Sequence, residues 1–272
     1  MKVTIPVIYK VKEKIKMKKI ITLFCLCFSI SAFAEVREIK SMKEILKEVD
    51  SQTLLVFDLD NTLMEPLQSL GSDQWYYYII KKYKEVDKLS DQEAYDKADK
   101  VWNQTQWLIQ VKAVENLTPE LIRQLQKKKI KMMGLTARTY DISDITLKQL
   151  SSIGIHLGHS VSSQDMSFQL VDMAHFKDGI VFQGEHNSKG AVFVEFLKKL
   201  NLKPKKVVFV DDKQKHVNSM EKALGEAKIK YIGFRYGSAD KRVEKFNKDF
   251  EDYDLFCHGQ WTSKAEEKRK AH

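Results

Sequence analysis

Three cysteines in 272 residues leave little scope for covalent cross-linking. Cys25 and Cys27 fall in an apolar run near the front, so removal of that run would leave Cys257 alone, unable to form an intramolecular bridge. Stability must then come from packing, for which a hydrophobic fraction of 43% is ordinary and sufficient. The front run itself, Ile20 to Ile30, falls short of the ~20 residues a membrane-spanning helix needs. No internal repeat stands out. A large single-sign charge is also missing beyond the front. The whole chain carries +9, but seven lysines against Glu13 give residues 1–34 a net +6, leaving about +3 for the rest. So small an excess demands neither a nucleic-acid nor a membrane partner.

What is present at the front reads as an export signal. Lys18-Lys19 precedes the apolar run, and Ser31-Ala32-Phe33-Ala34 closes it with the small-residue pattern a signal peptidase cuts after. Mature protein is expected to begin at Glu35, in the periplasm or outside the cell, with no stable membrane anchor after cleavage. Met17 begins a complete signal, so residues 1–16 read as the product of a start codon placed too early. A retained anchor is the alternative reading.

Beyond Ala34, Ser41 to Val49 has helical spacing and leads to the all-apolar run Leu54-Leu55-Val56-Phe57. After Pro66 the composition shifts. Ser72–Val86 and Ser90–Val111 read as two long helices rich in aromatics, the second opened by the capping box Ser90-Asp91-Gln92-Glu93. Tyr76–Tyr78, Trp75, Trp102 and Trp107 read as the core of that segment, or else as the wall of a substrate pocket. Thr118 as N-cap with Pro119 behind it marks the return of the main pattern. Helix 121–129, strand Ile130–Leu135, helix 144–153, hairpin strands 168–171 and 179–182, helix 188–200, strand Val207–Val210, helix 214–225, strand 229–234 and helix 239–248 follow. Residues 263–272 read as a disordered tail. Near-continuous apolar strands alternating with helices predict an α/β fold with a parallel sheet covered on both faces. His156-x-x-His159 has metal-pair spacing but lacks acidic company. Lys127–Lys129 and Lys203–Lys206 read as solvated ends of a helix and a loop.

The strand Leu54–Phe57 runs straight into Asp58-Leu59-Asp60-Asn61-Thr62-Leu63. Strand alternation carried into the first turn sends Asp58 and Asp60 to one side, where two like charges need a cation or a shared proton between them. A carboxylate can attack phosphorus in line, and a second can protonate the leaving oxygen and then take a proton from water.

The string resembles the Asp-x-Asp-x-Thr motif of the haloacid dehalogenase (HAD) superfamily. Three further matches follow in the superfamily's order: Thr136 after a strand, Lys189 in Ser188-Lys189-Gly190 at a helix start, and Asp211-Asp212 after Val207–Val210. The resemblance covers roughly residues 53–235 outside the insert, and Gly71-Ser72-Asp73-Gln74-Trp75 resembles a branch of secreted HAD-like bacterial proteins. It implies a Rossmann-like doubly wound sheet with a helical cap inserted after the first core strand. The core is then 35–66 and 117–262, and the cap 67–116. It further implies Asp58 as nucleophile, Asp60 as acid and base, and Thr136, Ala137 and Lys189 on the substrate phosphate. Mg²⁺ would be held by Asp58, the Asp60 carbonyl, Asp211 and Asp212.

His216 stands where many members of the superfamily have an acid, with Asn218 near enough to be an outer partner. The activity implied is an exported, Mg²⁺-dependent phosphatase for small phosphomonoesters, with no nucleic-acid partner. A non-catalytic binding or host-interaction protein on the same fold, and phosphotransfer to an acceptor other than water, stay open. Neutralising either Asp58 or Asp60 is expected to relieve repulsion and slightly stabilise metal-free protein.

Overall fold

The computed structural model describes residues 34–158, 160–184 and 186–246. The export signal, the tail and His159 lie outside them. The chain opens with a strand the sequence pattern did not suggest, β1 (Ala34–Ile39), followed by a 3₁₀ turn (Met42–Lys47) in place of the expected longer helix. β1 was hidden because Glu35, Arg37 and Glu38 interrupt its apolar residues, as an edge strand allows.

β2 (Thr53–Phe57) is buried throughout. Leu55 and Phe57 pack in one hydrophobic layer while Leu54 and Val56 pack in the layer on the opposite face. This is why the strand reads as a continuous apolar run. A short ribbon follows, β3 (Met64–Pro66), then the helical insert α1 (Asp73–Glu85) and α2 (Asp91–Gln106), and β4 (Val111–Ala113), antiparallel to β3. Ser72 and Ser90 cap the two helices, and the expected capping box at Ser90 and Glu93 forms. Trp75, Ile79 and Tyr83 on α1 meet Ala94, Ala98 and Trp102 on α2, giving the insert its own core.

The main pattern resumes with α3 (Thr118–Lys127) and β5 (Lys131–Thr136). Thr118 is not the cap that its sequence context suggests. Leu117 holds that place, and the Thr118 hydroxyl is buried without a hydrogen-bond partner among the described residues. Its backbone N–H already bonds to the Glu115 carbonyl at 3.0 Å, so the turn begins earlier.

After α4 (Ser143–Ser152) come β6 (Met166–Gln169), β7 (Met173–Lys177) and β8 (Ile180–Phe182). The sequence reading placed one hairpin here. The structure has two, and the second turns at Asp178-Gly179, both residues left-handed with φ of 47° and 84°. That Asp-Gly pair is the two-residue turn a hairpin favours, so Gly179 lies in the turn rather than in a strand.

α5 (Lys189–Lys199), β9 (Lys206–Asp211), α6 (Gln214–Glu226), β10 (Lys230–Tyr236) and α7 (Asp240–Glu244) complete the described chain. The eight-stranded sheet runs β1-β10-β9-β2-β5-β8-β7-β6, parallel from β1 through β8 and antiparallel beyond. The chain leaves β2 toward β5 on one side and later reaches β9 on the other. The strand order therefore reverses at β2, where ligands bind in open α/β sheets. This is an α/β fold with a mainly parallel central sheet.

Candidate active site

The carboxyl ends of β2, β5 and β9 bring the sequence-predicted residues to one edge. Asp58 continues β2, its N–H bonded to the Val210 carbonyl at 2.9 Å. One Asp58 oxygen accepts from Lys189 Nζ and the other from Thr62 Oγ1 at 3.2 Å. Lys189 also donates to Asp211 Oδ2 at 2.7 Å, and its side chain is fully buried. Lys189 reaches this point because Ser188 caps α5 one residue earlier and Gly190 lets the helix approach α6. A Cβ at Gly190 would stand 2.2 Å from the Ser219 carbonyl oxygen.

Asp58, Asp211 and Asp212 can each direct one oxygen into a space where all three lie within 4.8 Å of one another. With Lys189 as the cation among them, three ionised carboxylates would leave two negative charges over. Hard oxygen donors and that imbalance fit a divalent cation such as Mg²⁺. The protonation pattern carries the same message. Burial, with Asp211 as a like-charged neighbour, overcomes Lys189 and pushes Asp58 up to about 7. Burial together with Asp58 and Asp211 raises Asp212 well above the carboxylate range. At Asp211 burial is outweighed by Lys189 and His216, which hold it at about 2. Carboxylates crowded beyond what their one lysine neutralises take protons instead.

His216, in the position where the resemblance leads one to expect an acid, sets Nδ1 3.1 Å from both Asp211 oxygens. Burial lowers its pKa against the pull of Asp211, so it is neutral at pH 7. An ionised carboxylate only accepts, which puts the ring proton on Nδ1. Asn218 does not join this group. It is exposed and accepts from Gln214 Nε2 at 2.7 Å.

Asp60 belongs to a different knot. Both its oxygens are taken by Arg138, from Nε at 2.8 Å and Nη2 at 2.7 Å. Arg138, only 3% exposed, also donates to Thr146 Oγ1 and Gln149 Oε1, and its guanidinium lies 5.2 Å from the centre of the Trp102 ring. Gln149 in turn donates to the Gln106 carbonyl on α2 at 3.0 Å. Repulsion between Asp58 and Asp60 is therefore not the main electrostatic fact at Asp60. Neutralising it would strand a buried guanidinium, against the expected gain in stability.

Sequence reasoning passed over Arg138, although a signal existed. It stands two residues beyond Thr136 at a strand end, on the same side by alternation. Thr136 itself is buried, its hydroxyl accepting from the Arg138 N–H at 3.1 Å, while Ala137 lines the cleft beside Asp60.

That cleft, about 280 Å³, lies between the insert and the strand ends. Tyr76, Tyr77, Tyr95 and Trp102 wall it on the insert side, with Asp60, Arg138 and His216 opposite. Lys213 crosses its rim to Asp73 at 2.8 Å and the Tyr77 hydroxyl at 3.2 Å. The aromatics thus divide. Trp75 is wholly in the insert's core, whereas Tyr76, Tyr77 and Trp102 face the cleft.

Comparison with known proteins adds a family and relatives. The model of the family described as "Protein of unknown function (DUF2608)" matches residues 36–264. A Chlamydia trachomatis protein whose name proposes the outer membrane is 26% identical over 202 residues, spanning 73% of this chain and 75% of its own length. A similarly named Chlamydia pneumoniae protein is 24% identical over 213 residues, 77% of this chain and 80% of its own. Among solved structures, a haloacid dehalogenase-like family hydrolase from Streptococcus pneumoniae superposes with a TM-score of 0.38 at 16% identity. The match covers 66% of this chain and 93% of that one.

Proposed function

The chain belongs to the DUF2608 family, and we propose that this member is an exported, Mg²⁺-dependent phosphatase acting on small phosphomonoesters. The observation that carries the reading is the buried Lys189 shared between Asp58 and Asp211, with Asp212 within reach of the same point. A binding surface has no need of a buried, lysine-held carboxylate aimed out of a strand end. A nucleophile does.

Asp58 would attack phosphorus in line, forming an aspartyl-phosphate as the bond to the leaving oxygen breaks. Asp60 would give that oxygen its proton and then take one from the water that attacks the aspartyl-phosphate, freeing phosphate and restoring Asp58. Each Asp60 oxygen accepts one bond from Arg138 and keeps a second lone pair for the proton. Lys189, Thr136 and the Ala137 backbone would stabilise the transferring group's oxygens. Asp58, Asp211, Asp212 and the Asp60 carbonyl would hold Mg²⁺, which would supply positive charge against the phosphoryl oxygens. His216 Nδ1 fixes Asp211, so its other nitrogen is left toward the cleft. The insert acts as a cap that admits small esters and excludes folded phosphoproteins.

The names of the Chlamydia relatives support an envelope or exported location for this chain. Among the described residues no helix is long and apolar enough to cross a membrane. One observation favours the non-catalytic alternative: both oxygens of the expected acid are tied to Arg138. A panel of phosphomonoesters assayed with Mg²⁺ and with chelator decides between them. Turnover that needs Mg²⁺ and disappears in Asp58→Asn is expected. Absence of turnover across the panel would hand the fold to the binding reading.

A further inference from the structure

In a parallel sheet every helix-to-strand connection returns to the amino edge, opposite the catalytic end. The loops entering β2, β5, β9 and β10 therefore share one face, although they are far apart in the chain. Here those loops are Lys47–Gln52, Lys127–Lys131, Asn201–Lys206 and Glu226–Lys230, and between them they hold ten lysines against three acids. Strand register sets Lys131 beside Leu54, and Lys206 beside both Thr53 and Lys230. Two of the acids are engaged, Glu48 with Arg37 at 2.6 Å and Asp50 with Lys206 at 2.7 Å. Lys47, Lys127, Lys128, Lys129, Lys131, Lys203, Lys205, Lys228 and Lys230 are all exposed.

Lysine near a helix C-terminus is commonly explained by the helix dipole. That accounts for Lys127 and Lys128 at the end of α3 and for Lys228 just past α6. It does not account for Lys131, Lys203, Lys205, Lys206 and Lys230, which belong to the strand entries. The centre of this face is also not flat. A cavity of about 240 Å³ opens there, with Leu54, Val161, Leu202 and Pro204 on its walls and Lys131, Lys203 and Lys205 among its lining.

We infer that this amino-edge face is a docking surface for an anionic phospholipid bilayer, with headgroups on the lysines and the cavity receiving the apolar portion of one lipid. Charge complementarity supplies the attraction, and lysine, a flexible point charge, suits mobile headgroups. The four loops contain neither arginine nor an aromatic residue. Nucleic-acid surfaces rely on the bidentate guanidinium fork and on rings that stack with bases, and both are lacking here. Because the face lies opposite the cleft, a docked molecule would keep its catalytic end toward solvent. The inference stands on charge and topology and does not depend on the phosphatase reading.

The test is co-sedimentation of the full chain with vesicles of phosphatidylcholine alone or with about one third phosphatidylglycerol. Wild type is expected to partition at least about tenfold more strongly onto the anionic vesicles, and about 0.5 M salt should erase the difference. Lys127→Glu, Lys131→Glu, Lys203→Glu and Lys205→Glu combined should cut partitioning onto the anionic vesicles at least about threefold below wild type. The same charge change on the insert, at Lys81, Lys88, Lys97 and Lys100, should leave it unchanged. Should circular dichroism show the reversal set unfolded, the four Lys→Gln substitutions replace it with the same expectation. All these proteins keep the front segment, whose lysines add the same anionic preference to each, so the readout is the difference between the face variant and the insert variant. The inference is overturned if the face variant still partitions like wild type. It is equally overturned if short duplex DNA at matched phosphate concentration strips wild type from the vesicles, which would make nucleic acid the partner.

Discussion

Asp58 and Asp60 are two residues apart, yet each is held by a different cation in a different way. Lys189 is a point charge that divides its donors between Asp58 and Asp211, and every group in that knot belongs to the sheet core. Arg138 presents a fork to Asp60, and its remaining donors and ring contact reach α4 and the insert. The first knot concentrates negative charge where a metal and phosphate would meet. The second ties Asp60, the carboxylate proposed to transfer the proton, to residues that reach the insert walling the cleft. On the proposed reading, chemistry and cap position would be carried by neighbouring residues through separate contacts.

The largest effect should come from breaking the first knot. Lys189→Met keeps the volume but leaves buried carboxylates without their cation. Removing one partner of a buried pair typically lowers unfolding free energy by about 3–5 kcal/mol. Denaturant titration in chelator should show a loss of that size, and Mg²⁺ should restore part of it. Phosphatase turnover should vanish with or without the metal. A Lys189→Met protein as stable as wild type in chelator would mean the carboxylates are already protonated and the knot is not ionic.

Next is Arg138→Lys, which keeps the charge and removes the fork. A compact ammonium cannot bond both Asp60 oxygens, Thr146 and Gln149 together, so a loss of about 2–4 kcal/mol is expected. The comparison predicts more than destabilisation. Amide hydrogen exchange in α2 should quicken in Arg138→Lys and stay unchanged in Lys189→Met measured with Mg²⁺. Equal exchange in both variants would dissolve the distinction between the two knots.

The pH dependence of metal-free protein probes Asp58 directly. Its folded pKa, about 7, lies above the ordinary 3.8, so between those values the folded state keeps a proton that the unfolded state has lost. Stability from this group is full below about 4 and is lost as pH rises through 7, at most ~4 kcal/mol and less in practice, because the neighbouring carboxylate Asp212, also pushed up, shares the site with it. His216, its pKa lowered, contributes the opposite slope below 6.5, where the unfolded ring takes its proton first. Subtracting the thermal-unfolding profile of Asp58→Asn isolates the first term. Parallel profiles for wild type and Asp58→Asn would show that Asp58 is ionised in the folded protein throughout.

Much of this was legible in the chain because burial on both faces forces β2, β5 and β9 to be apolar, and charges interrupting such a run at its end are conspicuous. Asp58, Asp211 and Asp212 announce themselves in that way, whereas Lys189, at a helix start, stood out only through the order of the superfamily's motifs. Arg138 did not, since a basic residue in a loop reads as solvated until its burial is known. β1 and β7 were missed for the opposite reason. Each lies toward a margin of the sheet and carries polar residues, so no apolar run marks it. The role of Asp73 was also hidden. In sequence it is the residue after an N-cap, and only the fold brings it opposite Lys213.

The smallest effect should come from that Asp73–Lys213 bridge, an ion pair that crosses the cleft rim directly from insert to core loop. Both side chains are 23% exposed, so water competes for each. Burial opposes the ammonium, but Asp73 and the nearby Tyr77 hydroxyl outweigh it and raise the Lys213 pKa, so the ammonium keeps its charge through neutral pH. A partly exposed pair of this kind is expected to contribute about 0.5–1 kcal/mol in a double-mutant cycle of Asp73→Asn and Lys213→Met. It touches neither Asp58 nor Asp60, so kcat on a small phosphomonoester should stay within about twofold of wild type, while KM rises modestly as the cap loosens. Salt separates this pair from the buried knots: about 0.5 M should remove most of its coupling and leave theirs. A coupling above ~2 kcal/mol that persists in salt, or a kcat that falls with KM unchanged, would place Asp73 and Lys213 in the chemical step and join the cap to the first knot after all.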